Sequence, residues 1–368
     1  MAEKALLGPK PGLRPGWARL PVRARHLLVG AFALLAAAAV VDLVTGPAST
    51  VSPALAAIPV LAGAVTRSVK VPLIAGAFAA ACVGLLALAN RAVPADVHVA
   101  ALIAVLAVTL ASAANVVLVL ARERELLQVR TVSEAAQRAL LRPVAGRVGP
   151  LRVAVRYVAA AAEARIGGDL YDLLDTPYGI RILLGDVQGK GLAAVETAAD
   201  VLGVFRDTAR TEPDLARVAE RLDAALARRP GGERFVTAVL LTVPHLADQP
   251  AEVVNCGHPP PLLRRGGRVE AVEPPSFAPP LSLLGLTGGH YRAGPLDLRP
   301  GDLLLLYTDG VSEARDREGR FYPLPERLAA LPAQDPDGVL DQLLADVVGY
   351  VPDGLTDDAA LLVFRREP

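Results

Sequence analysis

Long apolar runs dominate the first third of the chain, and short alternating runs follow in the remainder. The long runs are 27–44, 51–66, 71–89 and 97–121. The charged residues between positions 31 and 120 are Asp42, Arg67, Lys70, Arg91 and Asp96. Because a membrane-spanning helix needs about 20 apolar residues, this pattern predicts four transmembrane helices, of which the second is short.

Two other interpretations of the apolar region are less favoured. A buried helical core is one, but almost unbroken Ala, Leu and Val leave no polar face for water. A cleaved signal peptide is the other, but three further apolar runs follow the first. Lys and Arg precede the first run, separate the second from the third and follow the fourth, so both termini are expected in the cytoplasm.

The composition predicts four regions. They are a basic cytoplasmic segment at 1–26, a four-helix membrane region at 27–121, a helical linker at 122–148 and a soluble domain at 149–368. A weak apolar seam in the linker, at Leu126, Val129, Ala136 and Leu140, would allow a homodimer through this helix. A solvated connector explains the same residues equally well.

Short strand-like runs and three helical stripes alternate in the soluble part. Strands are predicted at 153–159, 170–174, 180–187, 235–243, 252–256, 262–264, 268–272, 303–308 and 359–365, and helices at 192–210, 215–228 and 338–350. Turn residues such as Pro177-Tyr178-Gly179 and Gly266-Gly267 connect neighbouring strands as hairpins, which indicates antiparallel pairing. The predicted fold class is α+β, an antiparallel β-sandwich flanked by helices and preceded by an all-α membrane region.

Aspartates stand at the ends of four of these strands. A two-residue turn at Pro177 and Tyr178 would place Asp169 directly opposite Asp186, whereas a three-residue loop would shift the pairing by one. Antiparallel neighbours would also bring Asp309 close to Asp357. Each aspartate alone is better explained as a turn or cap residue. Together they favour a site for hard divalent cations, and no Cys/His set suited to zinc accompanies them.

Five motifs in the soluble part resemble, in order, those of PPM-type (protein phosphatase 2C-like) serine/threonine phosphatases. The motifs are Gly167-Gly168-Asp169-Leu170-Tyr171-Asp172, Gly185-Asp186-Val187-Gln188-Gly189-Lys190-Gly191, Asn255-Cys256-Gly257-His258-Pro259-Pro260-Pro261, Leu305-Leu306-Tyr307-Thr308-Asp309-Gly310 and Asp357-Asp358. The bacterial SpoIIE/RsbU-like branch is the most similar. The resemblance extends over about 151–364 and does not include the apolar region.

The resemblance implies a two-metal site with assigned ligands. Two divalent cations, Mn²⁺ or Mg²⁺, would be held by Asp169, Asp186, the carbonyl of Val187, Asp309 and Asp357. Asp186 would touch both ions, and Asp186 and Asp309 are the expected catalytic residues. Lys190 is a candidate for binding the substrate phosphate, with a solvated lysine as the alternative. We expect His258 to be structural, because it has no His or Cys partner at metal spacing.

Taken together with the predicted membrane region, the resemblance implies a membrane-anchored, metal-dependent phosphatase. It would hydrolyse phosphoserine or phosphothreonine on a cytosolic regulatory protein of the anti-sigma-factor antagonist class. The expected partners are therefore that phosphoprotein and membrane lipid, with no nucleic acid. A catalytically inactive phosphatase-like membrane sensor is the alternative. An aspartyl-phosphate enzyme is disfavoured because the alternating βαβ units and the paired-aspartate nucleophile motif of that class are missing from the sequence.

Overall fold

The computed structural model describes residues 52–89, 93–158, 167–229, 234–246, 249–332, 335–352, 354–355 and 357–367, without the side chains of 126, 127, 129–134 and 138. The predicted basic segment 1–26 and first apolar run 27–44 lie outside the described residues, as do the side chains of Leu126 and Val129 in the predicted linker seam. The chain divides into two compact units, Met1–Leu127 and Gln128–Pro368.

Apolar helices make up the described part of the first unit. A 3₁₀ helix, Ser52–Ala56, leads into α1, Ala57–Ala64; α2 is Lys70–Ala89, and α3 begins at Ala95 and ends at Leu140. Among the described residues, two segments, Lys70–Ala89 and Ala95–Glu125, are long and apolar enough to cross a membrane. The second predicted run yields only a shorter apolar helix, Pro53–Ala64.

The second unit contains the remaining elements. The strands are β1 Arg147–Val148, β2 Leu151–Val158, β3 Leu170–Thr176, β4 Gly179–Val187, β5 Val236–Val243, β6 Ala251–Cys256, β7 Leu262–Arg265, β8 Arg268–Ala271, β9 Gly294–Leu296, β10 Leu303–Tyr307 and β11 Ala359–Arg366. The helices are α4 Leu192–Thr211, α5 Leu215–Ala227, α6 Leu284–Thr287, α7 Asp309–Ser312, α8 Leu324–Ala330 and α9 Pro336–Tyr350.

Two antiparallel sheets form the centre of this unit. One has the strand order β1-β2-β11-β10-β7-β8, and the other has the order β3-β4-β5-β6-β9. Alternate side chains of both sheets, among them Ile182, Val239 and Phe364, are buried together in one apolar cluster. That period-2 alternation is what the sequence pattern predicts for strands that contribute one face to a shared core.

Helices cover the outer faces of both sheets. A stripe on α4 and α5, which includes Phe205 and Leu222, packs on the second sheet. On the first sheet the cover comes from α8 and α9, through residues such as Leu328 and Leu343. The side chain of Asp214 caps α5 by accepting hydrogen bonds from the next turn, 2.8 Å from the amide nitrogen of Ala216. The predicted α+β sandwich is thus confirmed.

Candidate metal and phosphate site

The β3–β4 hairpin brings the first two predicted aspartates together. Leu170 pairs with Gly185 in the register expected for a two-residue turn, so Asp169, one residue before β3, lies opposite Asp186. The amide of Val187 donates to the carbonyl of Gly168 over 3.2 Å and extends this pairing. A Cβ at Gly168 would collide with the Val187 backbone, which explains the glycine at this position.

The β10–β11 pair brings the other two aspartates together. Tyr307 pairs with Leu361, so the end of β10 and the start of β11 meet at the same edge. Asp309 opens the short α7, and Asp357 precedes β11 by two residues. A Cβ at Gly310 would strike the carbonyl of Asp358, so only glycine allows these two segments to approach so closely.

Hydrogen bonds join the two sheets at this edge, which we call the carboxylate rim, defined by Asp169, Asp186, Asp309 and Asp357. The buried hydroxyl of Thr308 donates to Asp169 Oδ2 over 3.0 Å and accepts from the amide of Ala360 over 2.9 Å. Thr308 on the first sheet is therefore bonded to a carboxylate on the second.

His258 supports the same edge from inside. Its Nδ1 lies 3.0 Å from the hydroxyl of Thr237, which is paired directly with Asp186, and its Nε2 lies 3.1 Å from the carbonyl of Tyr307. The carbonyl can only accept, so Nε2 carries the proton and Nδ1 accepts from Thr237. Burial lowers the pKa of His258 to about 4. His258 thus bridges the sheets as a neutral side chain, which accords with the predicted structural role.

Burial and neighbouring negative charge raise the proton affinity of Asp169, Asp186 and Asp309. Burial, followed by the charge of Asp186, raises the pKa of Asp169 well above its usual value. Burial raises the pKa of Asp186 to about 7, with the charges of Asp309 and Asp357 acting in the same direction. The pKa of Asp309 is raised by burial and by the charge of Asp357. Crowded carboxylates of this kind create a strong demand for positive charge.

The donor set fits hard cations in kind, although it is not a closed ligand cage. Within the described ranges no three His, Cys, Asp or Glu side chains are arranged to enclose a metal ion. Asp169 is bonded to Thr308, and Asp357 forms an ion pair with Lys190 in which Nζ and Oδ1 are 2.7 Å apart. The rim nevertheless supplies carboxylate and carbonyl oxygens only, which are the ligands that Mg²⁺ and Mn²⁺ prefer.

The structure therefore places each predicted site residue at or beside the rim. The four aspartates define it, Val187 ends β4 next to Asp186, and Lys190 contacts Asp357. A cavity of about 290 Å³ opens beside them and is lined by Asp309, Gly310, Glu313, Ala314, Arg315, Val351 and Asp357. Its size leaves room for a phosphorylated side chain next to the carboxylates.

Sequence reasoning missed two polar side chains that contact the rim segments, those of Tyr157 and Gln137, and gave Asp358 no role of its own. Tyr157 of β2 donates to Asp358 Oδ2 over 2.5 Å, and the amide of Gly167 donates to the same oxygen over 2.6 Å. Gln137 Nε2 lies 3.0 Å from the Tyr157 hydroxyl. Asp358 was visible only as part of the motif Asp357-Asp358. The sequence around Tyr157 is that of an ordinary strand, and the sequence around Gln137 is that of an ordinary helix, so neither residue could be singled out.

Known proteins resemble this chain in sequence and fold. Residues 176–367 match the family described as Stage II sporulation protein E (SpoIIE). Among curated proteins, protein IcfG of Synechocystis sp. is 24% identical, over 55% of this chain and 36% of its own length.

Two solved structures share the fold. The RsbU and RsbW domains of Rv1364c from Mycobacterium tuberculosis superpose with a TM-score of 0.50 and 26% identity, covering 59% of this chain and 60% of that one. The SiaA-PP2C domain of Pseudomonas aeruginosa superposes with a TM-score of 0.56 and 19% identity, covering 67% of this chain and 97% of its own. The chain thus spans less than two thirds of IcfG and of the mycobacterial protein, and nearly all of the SiaA domain.

Proposed function

Because the chain belongs to the SpoIIE family, with a PP2C-like phosphatase domain, we propose that it is a membrane-anchored protein phosphatase that hydrolyses phosphoserine and phosphothreonine with two divalent cations, Mn²⁺ or Mg²⁺. One observation carries the proposal: two antiparallel strand pairs, one from each sheet, bring four aspartates to a single rim. Four crowded carboxylates, three of which (Asp169, Asp186 and Asp309) have raised pKa values, are costly to the fold unless cations offset their repulsion.

The chain's own residues have distinct roles in this proposal. We assign Asp169, Asp186, the carbonyl oxygen of Val187, Asp309 and Asp357 as the ligands. The cations, when bound, would supply an activated water and neutralise the phosphoryl oxygens. Asp186 interacts electrostatically with Asp169, Asp309 and Asp357, so it is the best placed to touch both ions.

Lys190 is proposed to hold the phosphoryl group. Its Nζ is paired with Asp357, and its side chain is 37% exposed, so the ammonium group can reorient toward the adjacent solvent. A cation on Asp357 would compete with this ion pair and leave the ammonium group for a substrate phosphate oxygen. Lys190 then acts as a binding residue, and the carboxylates serve the metal ions.

We propose a phosphorylated anti-sigma-factor antagonist as the substrate. The resemblance to RsbU-like domains supports this choice, as does the likeness to a mycobacterial chain that carries RsbU and RsbW domains together. The substrate would be cytosolic.

Exposed apolar surface supports the membrane anchor. Ile74, Phe78 and Leu88 on α2 are 68%, 64% and 70% exposed, which a helix buried in a soluble core would not show. An ion pair of 2.7 Å between Arg67 Nη2 and Glu123 Oε1 favours one shared membrane side for the segment before α2 and the end of the apolar part of α3. The positive-inside rule makes that side cytoplasmic, and we place the phosphatase domain there too.

We retain the proposed organisation of an N-terminal membrane region, a helical linker that could pair in a homodimer, and a phosphatase domain. A truncated protein that begins at 149, the predicted start of the phosphatase domain, would lose contacts that the preceding helix makes. Leu140 and Leu141 pack against the core of the second unit, and Gln137 bonds to Tyr157. A fragment that starts at 149 lacks these contacts, so the full chain is the better material for assays.

The test is phosphate release by the detergent-solubilised full chain from phosphorylated antagonists of its own genome. We expect release with Mn²⁺ or Mg²⁺ and none in excess chelator, with Zn²⁺ a poor substitute. Tight binding of a phosphorylated antagonist without any release, over a range of metal concentrations, would favour an inactive phosphatase-like sensor. Activity that survives the chelator would contradict the two-metal assignment.

A further inference from the structure

A buried carboxylate links the two sides of the rim without being an assigned metal ligand. Asp358, 4% exposed, follows Asp357 on the first sheet. Its Oδ2 accepts from the amide of Gly167, which lies two residues before Asp169 on the second sheet, over 2.6 Å. The same oxygen accepts from the hydroxyl of Tyr157 over 2.5 Å. One oxygen atom therefore connects the chain segments that carry two proposed ligands.

Tyr157 is held so that its hydroxyl can only donate toward Asp358. The residue pairs with Ala360 across the β2–β11 ladder. Gln137 Nε2 donates to the hydroxyl oxygen from the other side over 3.0 Å. With its oxygen accepting from Gln137, the hydroxyl proton is directed at the carboxylate, and the hydrogen bond to a charged acceptor is of the strong class.

We propose that Tyr157 is a positioning residue for the metal-binding rim: through Asp358 it sets the spacing between Asp169 and Asp357. The inference rests on the proposed function, because the spacing matters only if the rim binds cations. The two short hydrogen bonds to one oxygen fix the position of the Asp358 carboxylate. Without the tyrosine hydroxyl, that oxygen loses one donor, and the segments on either side lose part of their common anchor.

A matched tyrosine elsewhere in the same unit separates positioning from packing. The hydroxyl of Tyr322 donates to Asp346 Oδ2 over 2.6 Å, and Tyr322 is 3% exposed. It belongs to the apolar cluster beneath α8 and α9. Tyr322→Phe therefore removes the same kind of hydrogen bond as Tyr157→Phe, but not at the rim.

The experiment measures Mn²⁺ binding by the full-length protein in detergent, by titration calorimetry and by the rise in melting temperature with added Mn²⁺. We expect Tyr157→Phe to raise the half-saturating Mn²⁺ concentration about tenfold, the lower end of the effect of losing an outer partner of a metal ligand. Turnover at saturating Mn²⁺ should stay within about threefold of wild type, since no assigned ligand is lost. Tyr322→Phe should lower stability without changing half-saturation.

Equal half-saturation in Tyr157→Phe and Tyr322→Phe would overturn the inference and leave the proposed function intact. If Tyr157→Phe does not fold, Asp358→Asn serves as the second variant, because it keeps the shape of the side chain but removes the negative charge that strengthens both hydrogen bonds. Unchanged Mn²⁺ binding by folded Asp358→Asn would equally overturn the inference. Failure of the wild-type protein to bind Mn²⁺ would overturn both the inference and the proposed function.

Discussion

Replacing Asp186 by asparagine should stabilise the metal-free protein while abolishing turnover. Asp186 is the penultimate residue of β4 and lies beside the other rim carboxylates, and burial together with the charges of Asp309 and Asp357 raises its pKa from 3.8 to about 7. A folded-state pKa above the unfolded one means that ionisation works against the fold. The penalty is absent below about pH 3.8, grows between pH 3.8 and 7, and is complete above pH 7.

The size of the expected stabilisation by Asp186→Asn follows from the raised pKa of Asp186. A rise of about three pKa units corresponds to a loss of at most about 4 kcal/mol of unfolding free energy at pH 8, where Asp186 is ionised. Because the side chain at the rim is partly solvated and therefore screened, we expect asparagine to recover about half of this, roughly 2 kcal/mol. A domain of this size gains about 2–4 °C in Tm per kcal/mol, so the metal-free variant should melt about 4–8 °C higher.

The assay is thermal unfolding of the full chain in chelator at pH 8 and pH 5, with and without Mn²⁺. At pH 5 the gain in Tm of the metal-free variant over the wild type should fall to less than half, because wild-type Asp186 is then largely protonated. Added Mn²⁺ should stabilise the wild type much more than the variant. Asp207→Asn is the control, since Asp207 is exposed on α4 and is not part of the rim; it should change neither Tm nor activity.

Two results would refute this reasoning. A metal-free Asp186→Asn protein that melts lower than wild type at pH 8 would show that the carboxylate stabilises the fold. Substantial turnover by the variant would show that Asp186 is not needed for the chemistry. Either result would make the rim a structural feature.

Three further predictions follow from the rim and its support. Asp309→Asn and Asp357→Asn should each lower turnover at limiting Mn²⁺ and regain part of it at high Mn²⁺ in activity titrations; no recovery by either would contradict separate roles for the ions. Since burial lowers the pKa of His258 to about 4, the contribution of this side chain to stability is present above pH 6.5 and is lost as the pH falls. The difference in unfolding free energy between wild type and His258→Gln should therefore shrink by about 2 kcal/mol between pH 7.5 and pH 5 in urea unfolding. A constant difference would refute a neutral buried histidine. Gly168→Ala should lower the free energy of unfolding by roughly 2–4 kcal/mol, because the added Cβ clashes with the facing strand. The control Gly203→Ala, in open space on α4, should be neutral or stabilising. Equal effects of the two changes in chemical denaturation would count against the clash.

The register of the site hairpin was predictable because local chemistry decides it. Pro177 and Tyr178 form a two-residue turn, and an antiparallel ladder then fixes every pair up to Asp169 and Asp186. The closeness of Asp309 and Asp357 also followed from antiparallel pairing. Periodicity was sufficient for these elements because each strand presents one face to a shared apolar core.

Other parts of the fold and site could not be predicted from local pattern. The short elements α8, Leu324–Ala330, and β9, Gly294–Leu296, offer too few periods for a hydrophobic pattern to show. The hydrogen bond from Tyr157 to Asp358 joins residues 201 positions apart, so only the folded sandwich reveals it. The ion pair of Lys190 with Asp357 is likewise a product of the assembled rim.

The most direct test of the account is phosphate release from a phosphoserine protein substrate by the full chain, measured with Mn²⁺, with excess chelator, and with Asp186→Asn in place of the wild type. We expect turnover only for the wild-type protein with Mn²⁺, and a folded but inactive Asp186→Asn variant. Equal phosphate release under all three conditions would contradict it.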